Sequence, residues 1–286
     1  MSVILALLAA LFASLTSILA KMGMGNVNSN LATAIRTVIV LIMAYIVVLI
    51  TGQLHTLSLI SNKALTFILL SGVSTGLSWL FFFKALALGD VSKVVPIDKS
   101  SVVLTILLSI IVLGEEAVPN IIAGGALIAI GTFALIGKNE EKNRFTGSNT
   151  YIIYAIFGAI FAALTTILAK IGIEDVDSNV ATFLRTIVIF IFAWVIVFFQ
   201  GKHKDMKQIS KKSYLFLILS GVATGLSWLC YFAALSIGKV SVVAPIDKFS
   251  VVITMILGFV ILKEKATKNT IIGGLIITIG TVFLIL

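Results

Sequence analysis

Apolar residues run along this chain in blocks of membrane-spanning length, separated by short polar intervals, and the blocks fall into two sets of five. In the first half they occupy 3–20, 31–50, 64–88, 94–113 and 120–137; in the second, 151–170, 180–199, 213–237, 243–262 and 269–286. Roughly 20 apolar residues cross the hydrocarbon core of a bilayer as a helix, so most blocks are long enough to span it. The fourth and fifth of each set are short or carry Pro, Gly and charge. A polar linker, 138–150, separates the sets.

The two sets are copies. Residues 2–137 and 151–286 align at a constant offset of 149 without a gap. Ser71–Leu80 (SGVSTGLSWL) returns as Ser220–Leu229 (SGVATGLSWL), Val95–Lys99 as Ala244–Lys248, and Arg36-Thr37 as Arg185-Thr186. About two thirds of positions in Ser71–Asp98 match their partners, far above chance for a fixed-period repeat. Five is an odd number, so the second copy must enter the membrane from the opposite side. The expected fold is an all-α integral membrane protein of ten transmembrane helices, built as two inverted five-helix repeats with transporter-like symmetry.

Loop charges agree with the inversion. Gln53-Leu54-His55 corresponds to Lys202-His203-Lys204, Asn62-Lys63 to Lys211-Lys212, Gly114-Glu115-Glu116 to Lys263-Glu264-Lys265, and Asn26 and Asn28 to Asp175 and Asp177. Loops after spans 1, 3, 5, 7 and 9 hold about 13 Lys and Arg, the others about three, so the positive-inside rule makes the first set cytoplasmic and puts both termini outside. The first block is not expected to be a signal peptide. No basic stretch precedes it, and its copy lies in mid-chain.

Composition fixes the solvent. Of 286 residues, 59% are hydrophobic and 12% charged, and mean hydropathy is +1.17. A soluble domain carries about 25% charged residues. The net charge of +9 sits in loops, where topology places it, and is not read as a nucleic-acid footprint. A single cysteine, Cys230, permits no internal disulfide or cysteine metal cluster. His55 and His203 read as loop residues, and no metal or cofactor is expected.

Three motifs in order carry a family resemblance. Ala85–Asp98 (A-L-x-L-G-x-V-S-x-V-V-P-I-D), an apolar span ending in Gly114-Glu115-Glu116, and Gly124–Gly131 recur as Ala234–Asp247, Lys263-Glu264-Lys265 and Gly273–Gly280. This pattern resembles the EamA family of the drug/metabolite transporter superfamily, once per half. The resemblance implies ten helices and alternating-access movement of small metabolites. It also implies that each half is similar to single-repeat members working as antiparallel pairs. Larger members are drawn with cytoplasmic termini; the loop charges here give the opposite, and that orientation is retained.

Ionisable residues inside spans carry the candidate chemistry, because each costs at least about 2.5 kcal/mol at the bilayer centre. In the first repeat these are Arg36, Lys84, Asp98 and Lys99; in the second, Arg185, Asp247 and Lys248. One reading pairs Arg36 with Asp98 and Arg185 with Asp247 as two gates flanking a midplane cavity. The other treats them as static staples, with Lys21 and Lys170 reaching to the headgroups. Lys84 corresponds to Ala233, which makes it a candidate substrate contact or a topology signal. Pro96 and Pro245 are expected to kink the helices that carry the aspartates. Trp79 and Trp228 lie deep in their spans and suit either a cavity wall or packing. Gly72, Gly76, Gly221 and Gly225 form small-residue stripes for close helix packing, beside Ser71, Thr75, Ser78 and their copies Ser220, Thr224 and Ser227.

The expectation is therefore a secondary transporter, not an enzyme. It would be a multi-pass protein of a bacterial plasma membrane, with the lipid bilayer and a small-molecule substrate as partners. The cationic excess favours an anionic or zwitterionic metabolite. No nucleotide-binding motif appears, so ATP is not the expected driver; coupling to protons through Asp98 or Asp247 and uncoupled exchange are the two readings. Proton-coupled efflux of lipophilic cations through Asp98 and Asp247 is the alternative substrate class, and a lipid-modifying membrane enzyme the alternative function class. A monomer suffices, since the fused halves supply the antiparallel pair; a dimer is compatible.

Overall fold

A computed structural model of the chain describes residues 1–24, 27–88, 97, 100–136, 150–261, 263 and 268–286. The described residues form helices and turns without a strand. In chain order the helices are α1 (Ser2–Met24), α2 (Ser29–Ile50), α3 (Asn62–Leu88), α4 (Ser101–Leu113), α5 (Pro119–Ile136), α6 (Thr150–Gly172), α7 (Ser178–Phe199), α8 (Lys211–Ile237), α9 (Val240–Asp247), α10 (Ser250–Ile261) and α11 (Lys268–Ile285). Among the described residues, seven segments are long and apolar enough to cross a membrane: Ser2–Gly23, Ser29–Ile50, Asn62–Phe82, Thr150–Gly172, Ser178–Phe199, Lys211–Ile237 and Val240–Ile261. Three shorter apolar helices, Ser101–Leu113, Pro119–Ala134 and Ile271–Ile285, fall in the remaining expected blocks.

Local chemistry sets the ends. The side chain of Asn28 accepts from the backbone N–H groups of Asn30 and Leu31, and that of Asp177 from Asn179 and Val180. Both satisfy amides that the first turn of a helix leaves without partners. The Asn-to-Asp exchange between repeats thus conserves a cap as well as changing a loop charge. Gly52 and Gly201, at φ +68° and +66°, take the left-handed conformation just after α2 and α7, where glycine is favoured.

The kink expected at Pro245 is a break. Proline has no N–H to donate to Ser241 O, and α9 ends two residues later. The chain then passes to α10 through i to i−3 bonds, Lys248 N to Pro245 O at 3.0 Å and Phe249 N to Ile246 O at 2.9 Å. Pro96 lies outside the described residues.

Packing runs mainly between the halves. α3 lies along α6, and its equivalent α8 lies along α1. The same hydroxyls stitch both pairs: Ser71 Oγ donates to Thr165 O (2.8 Å) and Ser78 Oγ to Gly158 O (3.0 Å). Their copies Ser220 and Ser227 donate to Thr16 O (2.8 Å) and Ala9 O (2.9 Å). Each pair is antiparallel. The two copies of the second helix, α2 and α7, also run antiparallel, since Asn30 meets Gln200 and Tyr45 meets Phe183. So do α5 and α11, whose glycines nearly touch: a Cβ on Gly124 would stand 2.8 Å from Gly280 O, and one on Gly131 2.8 Å from Gly273 O.

The stripes on α3 and α8 seat those helices against α7 and α2. A Cβ on Gly72 would fall 2.8 Å from Val188 Cβ and 3.1 Å from Arg185 O, and one on Gly221 2.7 Å from Ile39 Cβ and 3.2 Å from Arg36 O. Small residues let backbones approach this closely. The approach occurs at the turns that carry the two arginines.

Candidate functional site

Arg36 on α2 and Arg185 on α7 occupy equivalent positions, and both reach into the other repeat. Arg36 Nη2 donates to Thr224 Oγ1 on α8 at 2.9 Å, and Arg185 Nη2 to Thr75 Oγ1 on α3 at 3.1 Å. Each threonine in turn lies 3.3 Å from a second threonine: Thr224 from Thr16 on α1, and Thr75 from Thr165 on α6. The result is two Arg–Thr–Thr clusters, each drawing on both repeats. Arg185 is 3% exposed. Its guanidinium lies 4.0 Å from the centroid of the Phe232 ring and 5.8 Å from that of Trp228, within cation–π range. The Nε of both arginines is buried without a hydrogen-bond partner among the described residues. A buried charged donor left unpaired is costly.

Each arginine lines a cavity. One, of about 310 Å³, is walled by Thr16, Thr33, Arg36, Thr37, Trp79 and Trp228, among others. A second, of about 320 Å³, is walled by Thr75, Thr166, Arg185, Tyr231, Asp247 and Lys248, and again by Trp79 and Trp228. Ala13, Trp79, Ser227 and Trp228 belong to both walls, so the cavities adjoin at the tryptophan pair. Hydroxyls, aromatic faces and a guanidinium group at each cavity suit a small polar ligand with an aromatic or apolar body.

The structure thus gathers Arg185, Asp247, Lys248, Trp79 and Trp228 in one cavity and Arg36 with the same tryptophans in the other. Asp98 and Lys99 lie outside the described residues, so the Arg36–Asp98 pairing has no geometry here. Arg185 shares its cavity with Asp247, but its hydrogen bond goes to Thr75. Asp247 has an ion pair with its neighbour Lys248 at 3.8 Å. Lys84 is exposed on α3 and lines neither cavity. Lys170 turns inward: its Nζ donates to Leu235 O at 2.5 Å and Gly238 O at 2.9 Å, at the C-terminal end of α8, where carbonyls lack intrahelical donors.

Sequence reasoning assigned Thr75 and Thr224 to packing and missed Tyr231. The signal for the threonines was present, since hydroxyls recur on one face of α3 and α8 in both copies. Tyr231 corresponds to Phe82 and lies 3.3 Å from Thr166 through its hydroxyl. That polar exchange inside an apolar block was the available clue.

Comparison with known proteins agrees with this architecture. The EamA-like transporter family model matches residues 1–137 and again 149–286. An uncharacterized transporter encoded in the cobO 3′ region of Sinorhizobium sp. is 43% identical over 137 residues, 48% of this chain and 97% of that protein. Uncharacterized protein MJ1333.1 of Methanocaldococcus jannaschii is 28% identical over 145 residues, 48% of this chain and 96% of its own length. Uncharacterized transporter sll1164 of Synechocystis is 24% identical over 250 residues, 80% of this chain and 68% of that one. A protein crystal structure at 18% identity superposes with a TM-score of 0.80 over 99% of this chain and 95% of the other, a likeness of fold. With both halves matched by the same family model, the chain belongs to the EamA-like transporter family.

Proposed function

We propose that this membrane protein is a secondary transporter that carries a small anionic or zwitterionic metabolite by alternating access. Its ten spans form two inverted repeats, 1–137 and 151–286, joined by the linker 138–150. The observation that carries the substrate class is the pair of equivalent arginines, each at a cavity wall with an unpartnered Nε. A carboxylate or phosphate can take the bidentate geometry that a guanidinium offers at a cavity wall. The antiparallel packing of α2 on α7 and of α5 on α11 supports the inversion. Two relatives of about half this chain's length, each matched almost end to end, support a duplicated single-repeat ancestor. Loop charges support a reading in which both termini lie outside a plasma membrane.

In this reading the two Arg–Thr clusters flank the tryptophan pair, and rocking of one repeat against the other exposes the cavities in turn. Arg185 with Asp247, and Arg36 with Asp98, remain the candidate gate charges. Ligand-dependent thermal stabilisation of the purified protein tests the substrate class across amino acids, nucleosides, organic anions and lipophilic cations. Stabilisation by anions or zwitterions that is lost in Arg185→Met supports the proposal. Stabilisation by lipophilic cations alone, lost in Asp247→Asn, replaces it with cation efflux.

A further inference from the structure

Glu115, in the turn after α4, belongs to the first repeat, yet its carboxylate contacts only backbone of the second in the bonds described. Oε1 accepts from Val240 N at 2.5 Å and Oε2 from Ser241 N at 2.8 Å. These are the first two amides of α9, which have no intrahelical acceptor. The carboxylate is thus a bidentate cap supplied from the other half of the molecule, and its charge suits the positive end of the helix. Gly114, at φ +66°, turns the chain so that Glu115 faces α9. On the other side of the same connection Lys170 holds Leu235 O and Gly238 O. The α8–α9 link, Gly238-Lys239, is clamped by an anion on one side and a cation on the other.

α9 has 8 residues and is about 12 Å long at the helical rise. Its far end delivers Asp247 and Lys248 to the Arg185 cavity. We infer that Glu115 is a positioning residue and latch: it fixes α9 against the first repeat, sets the cavity-lining end of that helix, and holds this end of the molecule shut until α9 moves. The sequence singles out the same parts. Glu115, Lys170, Gly238, Val240 and Ser241 recur unchanged at the offset of 149, as Glu264, Lys21, Gly89, Val91 and Ser92. The neighbouring exposed pair does not: Glu116, 3.5 Å from Lys239, corresponds to Lys265, and Lys239 to Asp90. A surface pair of that kind contributes little.

The consequence for gating rests on the transport reading, whereas the contact itself is tested without any substrate. Hydrogen–deuterium exchange on the full chain reads the peptide spanning Gly238–Val243. Slow exchange in the parent, accelerated about tenfold or more in Glu115→Gln and unchanged in Glu116→Gln, is the expected result for a charged acceptor of two amides. Fast exchange in the parent overturns the latch whether or not any variant folds. Gating is read with Ala13→Cys as reporter in a Cys230→Ser background, in sealed vesicles with a membrane-impermeant maleimide added on the Glu115 side. Labelling should rise about tenfold in Glu115→Gln, the factor that 1.4 kcal/mol represents. Unchanged labelling beside accelerated exchange overturns the gate and leaves the anion-binding proposal standing.

Discussion

Arg185 hydrogen bonds Thr75 across the repeat boundary at 3.1 Å, and the equivalent bond from Arg36 to Thr224 is 2.9 Å. Removing either hydroxyl leaves a second guanidinium nitrogen without its partner. Thr75→Val and Thr224→Val should each lower stability by about 1.5–3 kcal/mol, the range for hydrogen bonds to charged groups, with Thr→Ser recovering most of it. Unfolding in detergent, followed by denaturant titration, measures this.

Arg36→Lys and Arg185→Lys keep the charge but lose the planar fork. The proteins should fold, while thermal stabilisation by carboxylate-bearing probes drops sharply in both, because an ammonium cannot make the paired contact. A lysine variant with unchanged stabilisation argues against bidentate recognition at that arginine.

Tyr231 gives the second cavity a hydroxyl that Phe82 does not provide in the first repeat. Tyr231→Phe loses only the 3.3 Å contact with Thr166 and should cost about 0.5–1.5 kcal/mol of stability. A larger drop in probe binding than in stability would mark the hydroxyl as a ligand contact, and equal changes would mark it as packing.

Gly72→Ala and Gly221→Ala press a methyl to 2.8 and 2.7 Å from Val188 and Ile39. Overpacking of this kind costs about 1–3 kcal/mol, and the displaced helix turn is the one carrying the arginine. Melting temperature should fall in both variants, and anion-dependent stabilisation should fall with it. Gly52→Ala, in open space at φ +68°, should lower stability without changing that ligand response.

Lys170→Met retains the apolar stem and removes the donor to Leu235 O and Gly238 O. The end of α8 should loosen, for a cost of about 1–3 kcal/mol. Amide exchange in the peptide beginning at Gly238 should quicken, because the chain there loses one side of its clamp.

Hydropathy and repetition are carried by residues near one another in the chain, and those features were legible in the sequence. The apolar blocks and the offset of 149 follow from local composition and direct self-comparison, whereas Asn28 and Asp177, read there only as loop positions, proved to be helix caps. The ninth block, 243–262, falls on one span, Val240–Ile261, with a two-residue turn at Lys248-Phe249 shortly after Pro245, the residue expected to kink it. Partners across helix interfaces depend on crossing geometry and register, which no local pattern specifies. Opposite charge suggested Arg185 with Asp247, but the hydrogen bond went to the neutral Thr75, 110 positions away, because α3 sits close over Gly72 on the turn that bears the arginine. Lys170, read as a headgroup contact, found backbone carbonyls instead, since a helix end within reach offered unpaired acceptors. The sequence by itself determined a duplicated helical membrane protein with charges inside it. Only the tertiary structure decided that each half completes the other, with Thr75 and Thr224 receiving the arginines and Glu115 capping α9, because those groups are satisfied by whatever the opposing helix presents at contact distance.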